Sequence, residues 1–229
     1  MELSLKVIAR IKTDFPEKFG IPRQSGIVEG LTGKIIFEPP YRDFSAVREL
    51  EEFSHIWLVW GFSLSDKKEW SPTVRPPRLG GNKRVGVFAT RSPYRPNPLA
   101  LSAVRLLKVE RDKTAGPVLT VAGIDMADGT PIYDIKPYIA YADAIPNAVC
   151  GFAGTPYVKK IEVEIPQSAA EILGAKAAAK LREVLSLDPR PRYQDDPTRV
   201  YGFSFSGFEI KFTAADGKAF VTEVKKSTF

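Results

Sequence analysis

Two loops of this 229-residue chain carry side chains that could hold an anionic ligand. The first offers one cation and one amide on a backbone that proline stiffens, in Pro22, Arg23 and Gln24. The second, residues 89–98, has two arginines and an asparagine among three prolines, namely Arg91, Arg95 and Asn97. Proline lowers the entropy cost of presenting such side chains in fixed directions. Because arginine can grip a carboxylate or a phosphate with two hydrogen bonds, an anionic ligand is expected here.

A third segment, residues 123–138, could carry out proton transfer. It brings together three acids and a lysine near turn residues, namely Asp125, Asp128, Asp134 and Lys136. A carboxylate placed beside a substrate N–H can orient that group or accept its proton. The alternative is an ordinary turn with solvated acids.

Several other kinds of chemistry are disfavoured. With one cysteine, Cys150, and one histidine, His55, a zinc site built from Cys and His alone would lack ligands. No glycine-rich dinucleotide or phosphate-binding motif is present, which argues against a Rossmann-type methyltransferase or dehydrogenase. Ser54 and His55 are expected on opposite faces of a strand, so they should not form a nucleophile–base pair, and His55 is interpreted as a core residue. Residues 125–129 lack the ligand spacing of a calcium-binding loop.

The net charge of +6 is unevenly distributed. Residues 71–109 contain no acid and eight cations, which leaves a net charge of −2 for the rest of the chain. Such asymmetry favours a nucleic acid or a phosphorylated ligand over a membrane surface as the partner, with a solvated basic loop as the alternative. No apolar run approaches 18 residues, and the N-terminus has no hydrophobic signal region. A soluble, cytoplasmic protein is therefore expected.

Hydrophobic alternation, together with apolar runs rich in β-prone residues, predicts a mainly β protein. Strands are predicted at residues 3–11, 33–38, 55–62, 84–90, 100–110, 117–123 and 132–136, with a short helix at 46–53. This spacing, with few helices between strands, favours an antiparallel barrel or sandwich. After about residue 157 the composition changes, and a capping box at Ser168 and Glu171 predicts a helix over 168–187, followed by a three-stranded meander. We therefore expect a domain at 1–157 and a small α+β extension at 158–229.

Long motifs in the chain resemble those of a known family. TRSPYRPNPLALS (residues 90–102) and DMADGTPIYDIKPY (residues 125–138) resemble the paired signatures of the TsaA-like, or TrmO, family. Residues 22–24, 50–60 and 72–81 fit the same family, and residues 188–193 resemble the start of its bacterial C-terminal extension.

This resemblance implies an antiparallel β-barrel that binds S-adenosylmethionine (SAM). It further implies a homodimeric enzyme that methylates N6 of threonylcarbamoyladenosine at position 37, in the anticodon loop of threonine tRNA. By position, the SAM contacts would fall on Pro22, Arg23, Gln24, Ser63, Leu64, Arg91, Leu101 and Asp125. The chain departs from the family at two positions, since a histidine is common where Ser63 stands and a glycine where Ala100 stands.

For such an enzyme the chemistry of methyl transfer suggests roles for individual residues and requires no metal. Asp125 or Asp128 would orient the N6–H or accept its proton. Arg91 would pair with the methionine carboxylate of SAM, although the threonylcarbamoyl carboxylate could instead bind Arg91 or Arg95. The tRNA contacts are predicted at Arg75, Arg78, Lys83, Arg84, Arg95 and Asn97. Two alternatives stay open: a non-enzymatic RNA-binding barrel, and a SAM-dependent enzyme that acts on a small metabolite.

Overall fold

The first part of the chain forms a closed barrel of six antiparallel strands. The computed structural model describes residues 2–65, 69–154, 160–190 and 196–227. In chain order its first eight strands are β1 (Ala9–Lys12), β2 (Thr32–Phe37), β3 (His55–Gly61), β4 (Thr73–Val74), β5 (Val85–Gly86), β6 (Leu99–Asp112), β7 (Gly116–Ala122) and β8 (Pro131–Pro137). The barrel runs β1-β2-β7-β6-β3-β8, and β8 closes it against β1, while β4 and β5 form a separate hairpin. The predicted antiparallel barrel is thereby confirmed.

Side chains at alternate positions of the strands point inward and fill the barrel. In β3, Ile56 and Leu58 are fully buried and their neighbours are partly exposed, as expected for a strand with one face in the core. Ile11 of β1 and Ile132 of β8 are also fully buried. The 14-residue β6 pairs with β3 along one edge and with β7 along the other. Loops at the ends of these strands come together and form the site described below.

The C-terminal part packs two helices on a four-stranded sheet. Its elements are β9 (Glu162–Glu164), α2 (Gln167–Leu173), α3 (Ala175–Ser186), β10 (Tyr201–Phe205), β11 (Phe208–Ala215) and β12 (Lys218–Lys226), after a short α1 (Ala140–Asp143) that follows the barrel. The sheet order is β10-β11-β12-β9, with β9 parallel to β12. The meander was therefore predicted, and β9 was missed because three residues are too few for periodicity to reveal.

The single helix predicted over 168–187 is wrong. Gly174 interrupts it with a φ of +75°, a left-handed conformation that glycine adopts without a steric penalty. The expected capping box is also absent from its place, since Pro166 precedes the first helical residue and Ser168 lies inside α2. Glu171 instead accepts a hydrogen bond from the Gln167 side chain, at 3.0 Å.

Three further elements differ from prediction. Residues 84–90 hold only the two-residue β5 and a 3-10 turn, Val87–Ala89, and not a full strand. The first strand is shorter than predicted, and the expected helix at 46–53 is replaced by two 3-10 turns, Phe44–Val47 and Leu50–Glu52. Short apolar runs of this kind do not distinguish a strand from a turn.

The interpretation of Ser54 and His55 is also wrong. Ser54 precedes the first residue of β3, so strand alternation does not separate the two side chains, and Ser54 Oγ lies 2.9 Å from His55 Nδ1. His55 is exposed and not buried in the core, with Tyr138 at its edge. Neither residue lines the cavity described below.

Buried side chains of the barrel and of the C-terminal part form one continuous hydrophobic core. The predicted boundary between residues 157 and 158 lies outside the described residues, as do the last three residues of the 188–193 motif. Among the helices described, none is long and apolar enough to cross a membrane.

Candidate functional site

The three segments singled out in the sequence meet at one cavity of about 610 Å³. That volume suits a ligand of cofactor size. All eight residues predicted to contact SAM line it, namely Pro22, Arg23, Gln24, Ser63, Leu64, Arg91, Leu101 and Asp125. Apolar and aromatic side chains form much of the remaining wall, among them Trp57, Trp60, Phe62, Tyr94 and Met126. A cation, an amide and a carboxylate thus face one partly apolar space.

Loops and strand ends of the barrel position these side chains. The loop between β1 and β2 supplies residues 22–24, the end of β3 leads to Ser63 and Leu64, and the start of β6 supplies Leu101. The loop between β7 and β8 supplies Asp125. The Gly26 N–H donates to the Gly123 carbonyl at 2.9 Å, which ties the first of these loops to the last.

Asp125 is the titratable group with the most unusual environment in the cavity wall. Burial is the largest effect on it and raises the pKa of its carboxyl from 3.8 to about 6. Hydrogen bonds from Ser102 and from the Ser25 backbone N–H oppose this rise, and so does the positive charge of Arg91. A carboxyl with a pKa near 6 is mostly ionised at neutral pH and still able to accept a proton.

A buried hydrogen-bond chain orients Asp125. The Trp60 Nε1–H donates to Ser102 Oγ at 2.9 Å, and Ser102 Oγ donates to Asp125 Oδ1 at 2.7 Å. An indole N–H is a donor only, so the Ser102 oxygen accepts from it and its single hydrogen is free to point at Asp125. Ser102 is 1% exposed, which shields this chain from water. The arrangement holds the Asp125 carboxylate in a fixed position in the cavity wall.

Arg91 lies beside this carboxylate. Its Nη1 donates to Gln24 Oε1, and the Gln24 amide nitrogen donates to the Arg23 carbonyl at 2.5 Å. Gln24 therefore links the two arginine-bearing loops. Because Arg91 is exposed, part of its guanidinium fork remains open to a ligand. The cavity thus presents a cation and a carboxylate close together, which suits a ligand that carries charges of both signs.

Arg95 and Asn97 line the same cavity, and Arg95 also shapes its own loop. The Arg95 Nη1 donates to the Thr90 carbonyl at 3.0 Å, while Thr90 Oγ1 donates to the Val87 carbonyl at 2.8 Å. These internal bonds add to the stiffness that the prolines give the loop.

The two acids predicted as alternative bases are separated. Asp128 does not line the cavity. Its carboxylate accepts hydrogen bonds from Lys12 Nζ at 3.2 Å and from the Thr13 N–H at 2.9 Å, at the end of β1. Asp128 is thus engaged in holding the barrel, and Asp125 is the acid of this pair that can meet a ligand.

The four cations predicted to hold tRNA phosphates lie outside the cavity lining, on or beside the β4–β5 hairpin. Arg75 and Lys83 are exposed. The exposed Arg84 donates to Thr73 Oγ1 at 2.8 Å, and Arg78 donates to the Ala153 carbonyl at 3.3 Å. The hairpin therefore presents a basic surface near the site.

Sequence reasoning missed several polar residues of the wall, among them Lys18, Ser102 and Thr130. Ser102 closes the first family motif and sits at an inward position of β6, where a polar residue is a signal of function. Thr130 Oγ1 lies 3.3 Å from Ser63 Oγ. Across the described ranges no group of three His, Cys, Asp or Glu side chains could hold a metal ion.

Family models and relatives of known name match both parts of this chain. The family model for the tRNA-methyltransferase O N-terminal domain matches residues 10–144, and that for the TrmO C-terminal domain matches residues 158–227. A relative from Escherichia coli (strain K12) named tRNA (adenine(37)-N6)-methyltransferase is 38% identical over 217 residues, which cover 91% of this chain and 92% of the relative. A relative from Pyrococcus abyssi, named "Probable S-adenosyl-L-methionine-binding protein", is 35% identical over 145 residues, 63% of this chain and 73% of that protein.

A crystal structure of TrmO from Pseudomonas aeruginosa matches the whole fold. Its TM-score is 0.80 at 32% sequence identity, and the match covers 99% of this chain and 98% of the other. The sequence matches and the structural match both extend over the barrel and the C-terminal part of the chain. The chain therefore belongs to the TrmO family of tRNA methyltransferases.

Proposed function

We propose that this protein is a SAM-dependent methyltransferase that adds a methyl group to N6 of adenine 37 in tRNA, with threonylcarbamoyladenosine in threonine tRNA as its substrate. One observation carries the proposal. Eight residues predicted to contact SAM line one cavity, and one of the eight, Asp125, is a largely buried acid with a pKa of about 6. The names of the relatives support the reaction and the position on tRNA.

The cavity fits SAM by its chemistry as well as its size. SAM supplies a methyl group on a positively charged sulfur, so the transfer requires no metal. Arg91 would bind the methionine carboxylate through its guanidinium fork, and Gln24 holds that fork in direction. The apolar wall around Phe62, Leu64 and Met126 excludes water from the reacting groups.

Asp125 would act as the proton acceptor. The N6 lone pair is delocalised into the adenine ring, so a nearby acceptor makes the nitrogen a better nucleophile. SAM would supply the methyl group and keep the electron pair of the carbon–sulfur bond that breaks, while Asp125 would accept the proton that N6 loses when it bonds the methyl carbon. The hydrogen bond from Ser102 holds this carboxylate in the cavity wall, where it would meet the substrate.

The tRNA would lie across the β4–β5 hairpin. Arg75, Arg78, Lys83 and Arg84 would contact phosphates, while Arg95 and Asn97 face the base from the cavity wall. Tyr94 and Trp57 line the cavity and could stack on an extruded anticodon-loop base. The catalytic unit in this proposal is residues 1–157, and residues 158–229 are an extension. The reaction would take place in the cytoplasm, where mature tRNA is found.

A homodimer is part of the proposal. Large apolar side chains beyond the barrel are exposed, with Tyr141 at 92%, Ile145 at 73% and Val149 at 97%. A second copy of the chain would remove this surface from water. Sedimentation equilibrium of the wild type and of Ile145→Asp tests this, since the substitution should shift the protein toward the monomer.

Methyl-labelled SAM and total tRNA test the proposed function. After incubation with the full chain, the tRNA is digested and the labelled nucleoside is identified. Label on N6 of a threonylcarbamoyl-bearing adenosine supports the proposal. RNA binding without label would favour a non-enzymatic barrel, and labelled small molecules without labelled tRNA would favour an enzyme of metabolism.

A further inference from the structure

The C-terminal part of the chain is built onto the loop that lines the cavity. This loop, residues 13–31, joins β1 to β2 without regular structure of its own, and its tip, residues 21–24, faces the cavity. We infer that residues 160–227 are a positioning element that holds this loop in the conformation needed to bind SAM. The inference rests on the proposed function and assigns a task to the extension.

Aromatic side chains of the loop are inserted into the C-terminal core. The fully buried Phe15 packs against Phe205 with ring centroids 5.2 Å apart. Phe19 packs against Phe203 at 5.4 Å and against Phe212 at 6.3 Å. An irregular loop cannot bury such rings within itself, so the C-terminal sheet supplies the apolar surface that they need.

Polar contacts fix the same stretch of loop. Lys180 of α3 donates to Asp14 Oδ2 at 2.6 Å and to Thr32 Oγ1 at 3.2 Å, so this ammonium bridges both ends of the loop. The ion pair is largely shielded, since the lysine and aspartate side chains are 13% and 21% exposed. The Ser204 N–H donates to Glu17 Oε1 at 2.8 Å. These contacts set the direction of the backbone before it reaches the cavity.

The loop tip is held between two anchors. On one side the Phe203 ring lies on Gly20, where an added Cβ would meet its Cε2 at 2.9 Å and where φ is +84°. On the other side the Ser25 N–H bonds Asp125, and the Gly26 N–H bonds the Gly123 carbonyl. Pro22, Arg23 and Gln24 lie between these anchors. Loss of the first anchor therefore frees residues that contact the ligand.

Freeing the loop weakens binding because apparent affinity falls with the population of the competent conformation. If loss of the Lys180 contacts reduces that population to about a tenth, the dissociation constant for SAM rises about tenfold. The Glu17 contact is a single exposed hydrogen bond, so its loss should cost about threefold. Neither residue lines the cavity, so these effects would act through the loop.

The test compares matched variants of the full chain. Lys180→Met is paired with Lys176→Met, an exposed lysine one turn earlier on α3, and Glu17→Ala is paired with Glu17→Gln, which restores the acceptor oxygen. Hydrogen exchange of the peptides that cover residues 20–28 is measured without ligand, SAM affinity by calorimetry, and folding by thermal melts. The pairs separate loss of a contact from loss of charge or bulk.

The expected result is faster exchange at Ser25 and Gly26 and weaker SAM binding in Lys180→Met and Glu17→Ala, with both controls like the wild type. Unchanged exchange in these two variants would overturn the inference. If Lys180→Met does not fold, the Glu17 pair alone decides the point. A wild type that binds no SAM would refute the proposed function, whereas the exchange results, obtained without ligand, would still test the positioning role.

Discussion

Replacing Asp125 with asparagine should stabilise the protein while it removes the proton acceptor. Burial raises the pKa of this carboxyl from 3.8 to about 6, so the fold opposes its ionisation. That difference corresponds to roughly 3 kcal/mol for a fully buried group. Solvent in the cavity reduces this cost of ionising Asp125, and we expect Asp125→Asn to be about 2 kcal/mol more stable than the wild type at neutral pH. The asparagine Oδ1 can still accept the hydrogen bond from Ser102, so the substitution removes the charge without breaking the buried chain.

The stability difference between Asp125→Asn and the wild type should depend on pH, in a direction set by the raised pKa. Because the folded-state pKa is raised, the contribution of Asp125 to stability is fully present below pH 4 and is lost as pH rises through about 6. Asparagine does not titrate. The stability of Asp125→Asn relative to the wild type should therefore rise between pH 4 and pH 7 and then level off.

Thermal or denaturant unfolding at half-unit intervals from pH 4 to pH 8 measures this difference. A gain of about 2 kcal/mol corresponds to roughly 4–8 °C in melting temperature for a chain of this size. Methyl transfer by the same variant should fall by about 10²-fold or more, the usual contribution of a positioned base. A stability difference that does not change with pH would refute the reasoning about the buried carboxyl.

Three other predictions follow from the site. Ser102→Ala should move the acid limb of the rate–pH profile to higher pH, because the Ser102 hydrogen bond lowers the pKa of Asp125; an unmoved limb would contradict this. Arg91→Ala should weaken SAM binding about tenfold by calorimetry, with only partial recovery in Arg91→Lys, and unchanged binding would refute the carboxylate assignment. Neutralising Arg75 or Lys83 should each reduce the slope of log affinity for tRNA against log salt by about 0.7–0.9, and an unchanged slope would exclude a phosphate contact.

Much of the barrel could be predicted because its central strands are apolar and rich in β-prone residues. The strands predicted at residues 55–62, 100–110 and 117–123 match β3, β6 and β7 within one or two residues at each end. The predicted SAM contacts came from the family resemblance, and all of them line one cavity although the segments that carry them are far apart in the sequence.

What the sequence could not predict depends on contacts made after folding. Asp125 and Asp128 were equal candidates for the proton acceptor in the sequence, and the structure separates them: Asp125 lines the cavity, whereas Asp128 pairs with Lys12 and Thr13. The bond between Ser54 and His55 depends on where β3 begins, which alternation does not specify. The insertion of Phe15 and Phe19 into the C-terminal sheet joins segments nearly 190 residues apart.

Single-turnover methyl transfer to defined tRNA tests the central claim most directly. Threonine tRNA with and without the threonylcarbamoyl group is mixed with labelled SAM and either the wild type or Asp125→Asn, and SAM affinity is measured in parallel. We predict label on N6 of adenosine 37 only in the threonylcarbamoyl-bearing tRNA, and a rate about 10²-fold lower in Asp125→Asn. Label on another atom, or a rate that the substitution leaves unchanged, would contradict the account.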